Sequence, residues 1–323
     1  MIITRTPLRV SFAGGGSDLR EFYQKNGYGA VISAAIQKYM YIIIHPYFHD
    51  KIRIKYSQVE DVATIDEIKH PIVRECLRKV QIDKGIEIAS FADVPSGTGL
   101  GSSSSFTVGL LNALYAYQGN VVSKQRLASE ACEIEIDILN EPIGKQDQYA
   151  AAYGSINYIR FNNDETVYVT PVLLKKSTTD RLEEYLCLYH IGGNRRAGDI
   201  LCEQKKNVSD SEEKFHSLQK MVVLANELKE SLYNDKIYEV GDLLHKGWLY
   251  KKELASGITN DTINKLYDIA LNIGAKGGKL LGAGGTGFLL LYAENHEPIK
   301  QSIGIKTMPF KIDNEGTKII FYD

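Results

Sequence analysis

Apolar residues recur along the chain at two periods, and the alternation between them outlines a mixed α and β protein. Phe106, Leu110, Ala113, Leu114 and Tyr117 follow the spacing of one buried helix face, and Leu127, Ala131, Ile134 and Ile138 mark a second, which Pro142 and Gly144 end. Another stripe, Phe215, Leu218, Val222, Ala225, Leu228 and Leu232, follows a capping box at Asp210 and Glu213. Ile263, Leu266, Tyr267, Ala270 and Ile273 follow the polar cap Asn260-Asp261. Shorter apolar runs predict strands: a pair at 39–47 and 51–56, a strand at 86–92, and a hairpin of 155–161 with 166–172. Four more are expected at 185–190, 288–292, 306–312 and 318–322. Polar residues crowd between Val172 and Leu186, which predicts two domains, 1–175 and 176–323.

The strand at 86–92 runs into Pro95-Ser96-Gly97-Thr98-Gly99-Leu100-Gly101-Ser102-Ser103-Ser104-Ser105, and the first helical stripe comes immediately after. A glycine-rich loop opening a helix gathers unpaired backbone N–H groups and the positive helix end in one small volume, which suits phosphate. It is not a P-loop, because no lysine lies between Asp93 and Tyr117. It is not a protein-kinase loop either, since His-Arg-Asp and Asp-Phe-Gly are absent. Two more glycine-rich segments, Arg9 to Asp18 and Lys279 to Gly287, suggest backbone approaching a ligand from several sides. Gly282, Gly284 and Gly287 spell G-x-G-x-x-G, but a strand rather than a helix comes next, which argues against a dinucleotide fold.

Acidic residues cluster at Glu133, Glu135, Asp137 and Asp147. Glu135 falls just off the buried stripe, where a carboxylate could reach inward to a metal ion, while Glu133 and Asp137 read as a solvated acidic face; Asp147 stands near a helix start, which favours its ionised form, or serves as a cap. Their spacing alone favours the solvated face and the cap. His45 and His49 read as strand-end histidines, because Pro46 breaks any helix that would align them as metal ligands. A net charge of −2 gives no general attraction to nucleic acid or acidic membranes, and no apolar run reaches membrane-spanning length. Cys76, Cys132, Cys187 and Cys202 are scattered, so reduced thiols and a cytoplasmic location are expected.

Taken together, the three glycine-rich motifs resemble those of the GHMP small-molecule kinases from Arg5 to Leu291, and Pro95 to Ser103 match the family's Pro-x-x-x-Gly-Leu-Gly-Ser-Ser in full. The resemblance implies an α+β fold: an N-terminal domain like ribosomal protein S5 domain 2, a ferredoxin-like C-terminal domain, and ATP with Mg²⁺ in the cleft between. It implies ATP-phosphate binding by Gly97, Thr98, Gly99, Leu100, Gly101, Ser102 and Ser103, and Mg²⁺ binding by Ser103 and Glu135. It also implies catalytic roles for Asp147 and Arg9 and sugar binding by Asp18. Gly15, Gly16, Ser17, Gly284 and Gly285 are expected to touch substrate. Glu-Pro-Ile-Gly-Lys-Gln-Asp-Gln and Gly-Ala-Lys-Gly-Gly-Lys-Leu-Leu-Gly-Ala-Gly-Gly are similar to the heptose 7-phosphate kinase branch, which phosphorylates the anomeric oxygen for surface-polysaccharide synthesis. Thr286 departs from that branch's glycine, which predicts a less close backbone approach there. A phosphorylated substrate calls for cations, expected at Arg195 or Arg196, with Lys175 and Lys176 weaker candidates. A fucokinase-like sugar kinase and a non-catalytic regulator of the same fold are the alternatives. The partner is a small phosphosugar, and the oligomeric state is left open, a homodimer included.

Overall fold

The computed structural model describes residues 1–192 and 197–323. In chain order, β1 (Ile2–Ala13), α1 (Arg20–Asn26), β2 (Tyr28–Pro46), β3 (Ile52–Lys55) and β4 (Val59–Val62) come first. Next are α2 (Pro71–Val80), β5 (Ile86–Ala92), α3 (Ser102–Tyr117), α4 (Lys124–Cys132), α5 (Gln146–Tyr153), β6 (Ile156–Asn162) and β7 (Val167–Pro171). The rest comprises α6 (Lys176–Tyr185), β8 (Leu186–Gly192), α7 (Ala197–Asp210), α8 (Glu212–Tyr233), α9 (Glu239–Lys252) and α10 (Asp261–Asn272). The chain closes with β9 (Gly277–Leu280), β10 (Gly287–Tyr292), α11 (Glu297–Ile303), β11 (Thr307–Pro309) and β12 (Lys318–Tyr322).

The large sheet has the order β12-β1-β2-β5-β3-β4, with β6 on the other half of the long β2 and β7 beyond it. The small sheet is antiparallel, in the order β11-β8-β10-β9. One core lies under α2, α3, α4 and α5, and a second fills the space between the two sheets. In β1 the period of two divides labour between its faces. Leu8, Val10 and Phe12 enter the inter-sheet core, whereas Arg9 and Ser11 line a cavity.

Several expectations change. The strands near 39–47 and 51–56 are not neighbours: β5 inserts between them, antiparallel to β2 and parallel to β3. Backbone bonds from Tyr47 N–H to the Gly85 carbonyl and from Gly85 N–H to the Lys51 carbonyl lead the connection around the start of β5. Alternation identifies strands but not their partners. The cap of α8 is Ser211, whose Oγ accepts from Lys214 N–H, while Asp210 ends α7. The strand expected at 306–312 is shortened to β11. The last strand leaves the second half of the chain and pairs with β1 at the start. Among the described residues, no helix is long and apolar enough to cross a membrane.

The second amphipathic stripe also changes character. α4 ends at Cys132, and residues 133–138 continue as a π-helical turn, in which Leu139 N–H bonds the Ile134 carbonyl. The wider turn changes the angle between successive side chains, so Ile138 is turned out to solvent and Glu135 is turned in, 1% exposed.

Candidate active site

A cavity of about 470 Å³ opens between the glycine-rich loop, β1, α5 and the β9–β10 turn. Its loop is shaped by glycines in the left-handed region, with φ of 76°, 81° and 73° at Gly97, Gly99 and Gly101. Gly101 is the N-cap of α3, no side chain among the described residues caps the first turn, and Ser102, Ser103 and Ser104 of that turn line the cavity, which leaves its N–H groups for a ligand. This is an anion cradle of the kind the sequence predicts.

Beyond the loop, Arg9 and Asp147 form a two-pronged pair, Nε to Oδ1 at 2.7 Å and Nη2 to Oδ2 at 2.6 Å. Arg9 Nη1 also donates to the Gly99 carbonyl at 2.6 Å, tying the pair to the phosphate cradle. Asp147 lies in the first turn of α5, so it is held from both sides. Asp18 is buried nearby and accepts from Gly16 N–H at 2.9 Å and Gln146 N–H at 3.1 Å. Burial, and then the neighbouring Asp147 charge, push its carboxyl above the usual range.

Glu135 faces the cavity from the π turn. Ser103 and Thr107 hydroxyls each donate to its Oε1 at 3.1 Å, and Gln148 Nε2 donates to Oε2 at 2.5 Å. All of these are neutral donors, and burial pushes the Glu135 carboxyl up to about 7. A buried carboxylate with a serine hydroxyl beside an anion cradle, and no cation of its own among the described residues, fits Mg²⁺, which takes one or two protein oxygens and completes its shell with phosphate and water. Glu133 and Asp137, by contrast, remain on the solvated face, paired with Lys79 and Arg20.

The cavity therefore brings together Arg9, Gly15, Gly16, Asp18, Gly97, Thr98, Gly99, Gly101, Ser102, Ser103, Glu135 and Asp147. Other expected residues lie behind it. Leu100 is buried, and its carbonyl accepts from Arg9 N–H. Ser17 Oγ donates to the Ala30 carbonyl, away from the cavity. Gly284 packs on Ile258, and Gly285 N–H bonds the Ile258 carbonyl, so these two shape a turn outside the cavity lining. The close approach in this segment is made by Gly282 against Gly99 and Gly287 against Thr98; Thr286 is buried outside the cavity lining. Lys175 and Lys176 pair with Asp235 and Asp180 on the surface. Arg195 and Arg196 lie outside the described residues.

Two cavity lysines are not among the site residues expected from the sequence. Lys251 on α9 and Lys279 on β9 are 8% and 2% exposed. Sequence pattern offers no signal for Lys251, which sits in an ordinary helical run; Lys279 stands within a glycine-rich motif but reads as its flank. Burial, reinforced by the charge of Arg9, pushes Lys279 down to about 7 from 10.5. Between those values the unfolded chain binds more protons, so the cost of burying this charge is full below about pH 7 and fades as pH rises toward 10.5. That separation corresponds to on the order of 5 kcal/mol. Lys279→Met should therefore be stabilised relative to wild type near neutral pH, with the advantage shrinking as pH rises. Thermal melts of the ligand-free proteins across that window check this; a difference that does not vary with pH would refute it.

The fold and this site suit a phosphotransferase that would present a phosphate chain to an acceptor group. Comparison with known proteins agrees. The GHMP kinases N terminal domain matches residues 68–155, and the GHMP kinases C terminal domain matches residues 228–306. The D-glycero-alpha-D-manno-heptose 7-phosphate kinase of Campylobacter jejuni is 30% identical over 98% of both chains. The bifunctional fucokinase/GDP-fucose pyrophosphorylase of Arabidopsis thaliana is 26% identical over 91% of this chain, which spans 30% of that protein. A crystal structure of a D-glycero-D-manno-heptose 1-phosphate kinase from Bacteroides thetaiotaomicron superposes over all of both chains with a TM-score of 0.82 at 24% identity. The chain belongs to the GHMP kinase family. It is an ATP-dependent phosphotransferase with an alcohol group as acceptor.

Proposed function

We propose that this protein transfers the γ-phosphoryl group of ATP to the anomeric C1 hydroxyl of D-glycero-D-manno-heptose 7-phosphate, giving the 1,7-bisphosphate for nucleotide-activated heptose and surface-polysaccharide synthesis. The observation that carries the chemistry is the Arg9–Asp147 pair, held against Gly99 between the phosphate cradle and Asp18. The sugar assignment is supported by the heptose 7-phosphate kinase relative, which aligns over nearly the full length of both chains.

In this reading the N–H groups of 97–103 hold the ATP phosphates, and His70, Ile72 and Phe106 offer an apolar wall for the base, with His70 stacked on Phe106 at 5.0 Å. Ser103 and Glu135 would hold Mg²⁺, which when bound neutralises charge on the phosphate oxygens. Asp18 accepts from a sugar hydroxyl and fixes the acceptor's orientation. Asp147 orients the C1 hydroxyl and receives its proton as the new P–O bond forms and the bond to the departing ADP oxygen breaks. Arg9 offsets the negative charge gathering between them. Most of the acceleration comes from positioning and charge, as phosphoryl transfer requires.

ADP release with Mg·ATP, measured against D-glycero-D-manno-heptose 7-phosphate, mannose 6-phosphate, fucose, galactose, mevalonate and homoserine, tests the proposal. Selective turnover of the heptose phosphate is expected. Selective turnover of fucose, the direction of the Arabidopsis relative, would overturn the substrate and keep the chemistry. Bound ATP without turnover of any acceptor would favour a regulator.

A further inference from the structure

We infer that Lys251 and Lys279 form a second anion subsite, separate from the phosphate cradle, that takes the phosphate monoester of the acceptor; this rests on the phosphosugar reading above. Both lysines line the cavity and are more than nine-tenths buried. Lys251 Nζ donates to the carbonyls of Leu280 at 2.9 Å and Gly282 at 2.5 Å, and Lys279 Nζ donates to the carbonyl of Phe12 at 3.1 Å. Neither ammonium has a carboxylate partner among the described residues, whereas buried Arg9 is matched by Asp147 and buried Lys145 by Glu165. An ammonium carries three donors, so one on Lys251 and two on Lys279 remain uncommitted among the described residues.

Two buried, unpaired positive charges are costly, and here they also repel each other and Arg9. Such a cluster is relieved by an anion, and a phosphate monoester near neutral pH carries close to two negative charges. The nucleotide phosphates already have the N–H groups of 97–103. Lys279 instead adjoins the acceptor side, anchored on Phe12 just ahead of the Gly15-Gly16 turn and Asp18, and Lys251 joins it through the carbonyl of the next residue, Leu280. Ser11 Oγ lies on the same strand, buried in the cavity lining without a hydrogen-bond partner among the described residues, and close to Gly15. It is a second polar group left for a ligand on this side.

The wild-type protein allows a direct test. Isothermal titration with heptose 7-phosphate at about pH 8, repeated in two buffers of different ionisation enthalpy, should register proton uptake as the anion restores charge to Lys279. An unphosphorylated sugar should register none. Inorganic phosphate titrated into the ADP complex should also be taken up with protons; if neither phosphate-bearing probe brings proton uptake, the subsite is refuted whatever the sugar proves to be. In kinetics, Lys251→Met should raise KM for heptose 7-phosphate by about tenfold or more, with KM for ATP within about twofold. A raised KM for ATP alone would assign the lysines to the nucleotide and overturn the inference. An unchanged KM for the phosphosugar, in a wild-type enzyme that turns it over, would overturn the inference while leaving the proposed reaction intact.

Discussion

Asp147→Asn is expected to lower kcat by about a thousandfold, within the range that a positioned base contributes. The carboxylate serves two purposes that an amide cannot combine. Its two oxygens accept both prongs of Arg9, and in the proposed reaction one of them also takes the hydroxyl proton. An asparagine keeps the volume and one acceptor, but its NH₂ group turns a donor toward the guanidinium. Neither the phosphate cradle nor Asp18 depends on that proton, so KM for ATP and for the sugar should shift only a few-fold. Steady-state kinetics with both substrates varied would check the split. A variant within about tenfold of wild-type kcat would remove Asp147 from the chemistry.

Gly282→Ala should raise KM for ATP by about tenfold or more and lower the melting temperature. A Cβ at Gly282 would lie 2.3 Å from Gly99 Cα, and the residue sits at φ +64°, so backbone meets backbone with no flexible side chain to yield. Gly99 in turn holds the middle of the phosphate cradle and accepts from Arg9. In the proposed reading the methyl group therefore acts on ATP and on the Arg9–Asp147 pair through Gly99. Gly97→Ala is the control: its φ of +76° is also in the left-handed region, but no atom of the described residues lies within 4 Å of the added Cβ. It should cost stability with a smaller rise in KM. Nucleotide titration and thermal melts of the two variants would separate contact from strain. Equal KM values would show that the two glycine-rich segments do not support one another.

These predictions rest on features of unequal visibility. The glycine-rich turn and the helix it opens are legible, because Gly97, Gly99, Gly101 and the helix after them are local and the serines run directly into a helical stripe. Asp18 and Arg9 were legible only through the motif they sit in, and their cavity-facing positions arise from the two-residue period of β1 and the turn after it. Glu135 was ambiguous. A regular 3.6-residue period leaves it at the edge of the buried face, and the π turn that rotates it inward has no sequence period of its own. Composition cannot say what a glycine's bare face meets: that of Gly284 meets Ile258, and Gly285 N–H bonds the Ile258 carbonyl.

What the amino-acid order determined by itself was local: where helices and strands form, where the backbone needs glycine, and which stretch presents N–H groups to an anion. What tertiary structure decided was long-range. Insertion of β5 between β2 and β3, return of β12 to β1, and seating of Gly282 on Gly99 each join segments far apart in the chain. The pairing of Arg9 with Asp147 and the burial of Lys251 and Lys279 beside them depend on the same assembly. Periodicity records which face of an element is apolar, but not which neighbour that face meets. A charge becomes chemically distinctive only when its neighbours take water away from it.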